Sequence, residues 1–169
     1  MRWPESCKFC ESPKPRSFAA LMDLYEHNYM RLKCLCPPIK DITGHVVSQV
    51  SEAHDLHLIV VEQSRHTTTF CLTYEMADNV PRPNLTLRIY HDARQAEVLS
   101  SGRDNLAGMS RGLTDAALLH RWRTNRFLYK WLNYCRKQGH GFDQRSSIEC
   151  VNKYLSMDGL TAQAGVKTS

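Results

Sequence analysis

His91 and Asp92 stand side by side in YHDAR (90–94), inside the longer run LTLRIYHDARQAEVLSSG (85–102). Histidine changes charge near neutral pH, and a nearby carboxylate suggests general acid–base chemistry. Adjacent residues on a strand point to opposite sides, however, so these two cannot form a relay with each other. A partner within about 3 Å must come from another segment. Glu62, Arg65, His66, Arg88 and Glu97 are the residues that an antiparallel sheet could bring near. The candidate catalytic set is therefore His91, Asp92 and Glu62, acting on a phosphorylated small molecule. The alternative is a plain turn, with Asp92 accepting a backbone N–H and His91 capping a strand end. No nucleophile motif, metal spacing or phosphate loop accompanies the pair, which favours the turn.

The second candidate is EQSRHTT (62–68), where Arg65 and His66 read as an anion grip on a hairpin. Arg88 and Tyr90 on a neighbouring strand extend the ligand-binding set. The competing reading is a turn with a surface Glu62–Arg65 ion pair, which contributes little.

Cys7 and Cys10 in CKFC and Cys34 and Cys36 in CLC make a third group. Cys-x-x-Cys is a familiar half of a zinc site, and Cys-x-Cys is a less usual second half. The intervening helix from Ser17 to Lys33 would be about 24 Å long. Residues 11–16 must run back along it and reach only about 20 Å. Free thiols are therefore expected over a four-cysteine zinc site, and no cofactor is expected. The fourth group is Arg123, Arg126, Lys130 and Lys137, nearly in line on a helix. Such a stripe can track phosphates, but the aromatic residues fall on the opposite side, away from the bases they would stack on. A solvated helix face is expected, with at most weak, non-specific nucleic-acid binding.

The elements that must position these residues follow from periodicity. Ser17 offers an N-cap to SFAALMDLYEHNYMRLK, whose Phe18, Leu21, Met22, Tyr25, Tyr29 and Leu32 share one helical face. Pro37-Pro38 ends it. HVVSQVSE, LHLIVVEQ and HTTTFCLTYEM read as strands, the last two joined tightly at Ser64-Arg65. DNVPRPN reads as a loop, because Pro81 and Pro83 cannot donate to a ladder. In LTLRIY, Leu85, Leu87 and Ile89 face a core, while Thr86, Arg88 and Tyr90 face away. QAEVLS returns as a fifth strand. Residues 101–117 read as a loop. A second helix over 118–138 carries Phe127, Leu128, Trp131, Leu132 and Cys135 on its apolar face, with Gly139 as its C-terminal cap. Ser147 to Met157 suits a short helix.

These elements predict an α+β fold: an antiparallel sheet of about five strands, with an N-terminal and a C-terminal helix packed on one face. Residues 1–16 read as an irregular arm, 17–141 as one domain, and 142–169 as a weakly ordered tail. The 169 residues, 42% hydrophobic and 23% charged, suit a globular domain with its own core. No apolar run approaches the roughly 20 residues of a membrane span, and MRWPESCKFCE lacks a signal peptide's apolar stretch. Seven cysteines, an odd number, argue against a disulfide framework. A cytoplasmic protein with no membrane contact is expected. The net charge of +5 permits a polyanionic partner without requiring one.

The stretches IVVEQSRHTTTF, LTLRIYHDARQAEVLSSG and HRWRTNRFLYKWLNYCRKQGHG closely resemble the YqiB-like bacterial domain family of unknown function, in the same order, over residues 18–141. The resemblance implies a small cytoplasmic protein of proteobacterial type. It carries no activity, cofactor or catalytic residue. The N-terminal cysteine-containing arm and the C-terminal tail depart from the family pattern. On the residues alone, a non-catalytic binding or regulatory module for an anionic ligand or a protein partner ranks above an enzyme using His91, Asp92 and Glu62.

Overall fold

The structure, a computed structural model, describes residues 17–76, 81–102, 104–105 and 114–143. Helix α1 spans Phe18–Leu35. Its first turn is capped by Ser17, whose hydroxyl accepts the Ala20 N–H at 3.1 Å, satisfying a donor that the helix cannot. The buried stripe is Leu21, Leu24, Tyr25, Asn28, Leu32 and Leu35. It is rotated from the predicted face: Phe18 is exposed, and Leu24, Asn28 and Leu35 join instead. The rotation places Asn28 where its Nδ2 donates to Asn125 O at 3.2 Å, a bond that apolar periodicity does not reveal.

Among the described residues six strands follow: β1 (His45–Ser48), β2 (Leu56–Gln63), β3 (Thr67–Glu75), β4 (Pro81–Tyr90), β5 (Gln95–Ser101) and β6 (Asp104–Asn105). They form one sheet in sequence order, each antiparallel to the next, so the predicted meander holds. Two details differ. The two-residue β6 lies within a stretch predicted as loop. Strand β4 begins at Pro81, inside the predicted DNVPRPN loop, with Pro81 opposite Glu75 and Asn84 opposite Thr73. A proline is tolerated at the first position of a strand, where its missing N–H costs least.

Alternation sorts the sheet into two faces. Phe70, Leu72 and Tyr74 of β3, Leu85, Leu87 and Ile89 of β4, and Ala96 and Val98 of β5 are all buried on one of them. Leu128, Trp131, Leu132 and Cys135 of helix α2 (Asp115–Lys137) cover that face together with Leu32 and Leu35 of α1. Each fully buried large side chain contributes on the order of 1.5–3 kcal/mol. Arg88 lies opposite, against Thr69, as the alternation in LTLRIY predicts.

Helix α2 starts three residues earlier than predicted because Thr114 caps it, accepting the Ala117 N–H at 3.2 Å. Gly139, at φ +92°, adopts the left-handed conformation that closes such helices. The two helices run parallel: Leu21, Leu24 and Tyr25 cluster with Trp122 and Tyr129, and the later turns of both meet over the sheet. Phe142 donates its N–H to Leu35 O at 2.7 Å and buries its ring, tying the two helix ends together. Asn125 fixes α2 to the sheet. Its Oδ1 accepts the Val98 N–H of β5 at 3.1 Å, and its Nδ2 donates to Arg121 O. The predicted arm (1–16) and the predicted helix at 147–157 lie outside the described residues.

Candidate functional site

The two hairpins β2–β3 and β4–β5 end side by side. Thr67 pairs with Tyr90, and the His91 N–H donates to His66 O at 2.8 Å. The first loop is Ser64, Arg65 and His66, all exposed. It is held by Ser64, whose N–H donates to Thr67 O and whose Oγ accepts the Thr67 N–H. The second turn is 91–94. Asp92 Oδ1 accepts the Ala93 N–H at 2.9 Å, and Arg94 takes a left-handed φ of +54°. Arg65, His66 and Arg94 are thus presented at one end of the sheet.

His91 turns inward from the same end. Its Nε2 bonds Thr68 Oγ1 at 2.8 Å, and its Nδ1 is buried without a hydrogen-bond partner. Burial first, and then the charges of Lys40 and Lys33, hold its pKa below the usual histidine value. Those two lysines, from the end of α1 and the segment after it, add positive charge to the hairpin end.

The predicted catalytic residues are not brought together. Thr68, with His91, is on the helix-covered side with Phe70 and Leu72. Glu62 pairs with Thr69, one residue on, and so lies on the opposite face. Asp92 is exposed and engaged in its own turn.

Around Arg88 and Glu97 the polar groups satisfy one another. Arg88 Nε donates to Thr69 Oγ1 at 2.9 Å and its guanidinium lies 3.7 Å from Glu62, a contact largely screened by water. Tyr90 donates to Glu97 Oε1 at 2.7 Å, and Tyr25 of α1 donates to Oε2 at 3.1 Å. Arg121 of α2 stands 3.6 Å from the same carboxylate. Burial, and next Glu97 itself, push both tyrosines above their ordinary pKa, so they remain donors. Arg88 and Tyr90, predicted as ligand-binding, therefore have partners within the fold, whereas Arg65 and His66 project from it.

Of the cysteine group, Cys34 is exposed and Cys36 is buried in the core, so the two thiols of CLC face different surroundings. Cys7 and Cys10 lie outside the described residues. Along α2, Arg123 and Lys137 are exposed and Lys130 is half-buried, but the Arg126 guanidinium sits 4.7 Å from the centre of the Trp122 ring in cation–π contact. A cleft of about 350 Å³ lies on the helix side, bordered by His54, Tyr74, Tyr134 and Gln138. It includes none of the predicted site residues.

Two histidine contacts escaped the sequence reading. His45 Nε2 meets His57 Nδ1 at 2.8 Å, and His140 Nδ1 meets Ser48 Oγ at 3.1 Å. His57 also stands 3.0 Å from Glu75. The available signal was spacing. Asp55 and His57 are two apart on one strand line, so they share a face, and the hairpin brings the end of β3 across from them.

A family model described as "Protein of unknown function (DUF1249)" matches residues 31–141. The chain belongs to this family. The curated relatives include "Uncharacterized protein YqiB" of Escherichia coli strain K12, 34% identical over 128 residues, covering 72% of this chain and 90% of that protein. The proteins of the same description from E. coli O6:H1 and O157:H7 match to the same extent. No solved structure matches. The family region contains both hairpin ends, the sheet and α2. Among the described residues, no helix is long and apolar enough to cross a membrane.

Proposed function

We propose that this family member is a non-catalytic binding module whose hairpin end takes an anionic ligand, carrying phosphate or carboxylate groups. The observation that carries this reading is the His91 N–H to His66 O bond. It laces together the two turns that carry Arg65, His66 and Arg94, and the charges of Lys40 and Lys33 act on His91 at the same end of the sheet. The acid within this turn, Asp92, spends one carboxylate oxygen on the Ala93 N–H. Among the described residues Arg65 and Arg94 enter no ion pair, unlike Arg88 and Arg121. Guanidinium groups on rigid turns suit oxyanions because they offer paired donors in a fixed plane. The separation of His91, Asp92 and Glu62 speaks against the enzymatic alternative.

Ligands that bind the native state raise its melting point, by an amount set by concentration over Kd. Pyrophosphate, citrate and nucleoside phosphates should therefore raise the melting temperature at millimolar concentration. The gain should vanish in Arg65→Ala/Arg94→Ala, whose own melting point should match the parent's. An equal gain in parent and variant, or none in either, would defeat the proposal.

A further inference from the structure

The corner where β2 begins and β3 ends carries a second constellation, independent of the hairpin end. The Glu75 N–H donates to Asp55 O at 3.1 Å, and His57 pairs with Thr73. The pleat sends Asp55, His57 and Glu75 to the face opposite Leu56 and Leu58. One imidazole nitrogen and two carboxylates converge there, their ligand atoms all within 4.8 Å of one another. His57 is only 9% exposed, and its Nε2 is buried with no hydrogen-bond partner, although Glu75 Oε2 is 3.0 Å away. Its other nitrogen, Nδ1, is held by His45 Nε2 at 2.8 Å. Asp55 is held as well: its Oδ2 accepts from Gln49 Nε2 at 2.8 Å.

Metal-ligating histidines are arranged in this way. One ring nitrogen is bonded to a supporting group, which fixes tautomer and orientation, and the other is left for the ion. A histidine–carboxylate ion pair would account for His57 and Glu75. It would not require the second carboxylate, nor the second histidine behind the first. We propose that Asp55, His57 and Glu75 bind a divalent first-row transition ion such as Zn²⁺. An imidazole ligand favours such an ion over Mg²⁺ and Ca²⁺, which select oxygen. Tetrahedral zinc bonds of about 2.0–2.1 Å place ligand atoms roughly 3.3 Å apart. The His57–Glu75 distance is already close to that. Asp55 is half-buried and Glu75 exposed, so rotation of the carboxylates can close the remainder. Three protein ligands leave one position open to water or to an exogenous anion.

The test is titration of the chelator-stripped full chain with Co²⁺, followed by visible absorption, and with Zn²⁺ by calorimetry, with Mg²⁺ as control. One equivalent should bind without thiolate charge-transfer bands, and Mg²⁺ should not compete. Glu75→Gln, at an exposed position, should fold normally and bind at least about tenfold more weakly. His45→Phe removes the hydrogen bond behind His57 and should weaken binding about 10- to 100-fold. Absence of saturable binding would overturn the proposal. So would affinity that survives Glu75→Gln, or a spectrum in which thiolates hold all of the bound cobalt.

Discussion

Replacing Asn125 with leucine should unlatch α2 from the sheet. Asn125 is fully buried, and its Oδ1 is the partner of the Val98 N–H on β5, beyond the two-residue pairing with β6. Leucine has the branched shape of asparagine but is larger, so no cavity is left and any overpacking adds to the loss. What remains is a buried backbone donor without an acceptor, which costs about 1–3 kcal/mol. The Asn28 bond to the backbone carbonyl of residue 125 survives the change, and the Asn125 Nδ2 bond to Arg121 O is lost along with the Val98 bond. A net loss of about 2 kcal/mol lowers the melting temperature by about 4–8 °C in a chain of this size. Urea unfolding followed by far-ultraviolet circular dichroism measures it directly, with the denaturant slope unchanged. Asn125→Ala adds a cavity and should lose more. A loss below about 0.5 kcal/mol in the leucine variant would show that the Val98 N–H finds another partner, and that the latch does not hold the helix.

Thiol reactivity should split sharply within the CLC motif. Cys36 and Cys135 are buried, and burial pushes each thiol up to about 12, so alkylation of the native chain should spare both and modify exposed Cys34. Equal rates at Cys34 and Cys36 would contradict the burial. Stability should also depend on acidification. Burial is the leading cause that lowers the pKa of both His91 and His140. Their stabilising effect is therefore complete above the unfolded value of about 6.5, and is lost as pH falls through the lowered folded values. Urea midpoints should drop between pH 7.5 and 5, and less so in His91→Gln. Midpoints that stay level or rise on acidification would contradict the sign.

The meander was legible because LTLRIY and HTTTFCLTYEM alternate cleanly, and because the connections between strands are short. Both helices were legible from period and from Ser17 and Gly139. The rotation of α1 was not, because Asn28 sits in the buried stripe. An asparagine reads as solvent-facing until its partner on α2 is known. The start of β4 was obscured by Pro81 and Pro83, whose missing donors argue for a loop in isolation. At the candidate sites, sequence spacing placed Arg65 and His66 on a hairpin and Asp92 in a turn. It left open which face His91 and Glu62 would take. That depended on the bulge between Val60 and Glu62, which sets Glu62 rather than Val61 opposite Thr69. The pairing of His45 with His57 required the β1–β2 register, and a four-residue strand gives little indication of register.

Amide chemical shifts of the labelled full chain, followed during titration with pyrophosphate at low ionic strength, test the anion-binding account most directly. Saturable shifts should concentrate on residues 64–66 and 91–94 and on the backbone around Lys40, and should weaken as salt is raised. Shifts centred instead on Arg88, Tyr90 and Glu97, on α2, or nowhere above the salt control would contradict it.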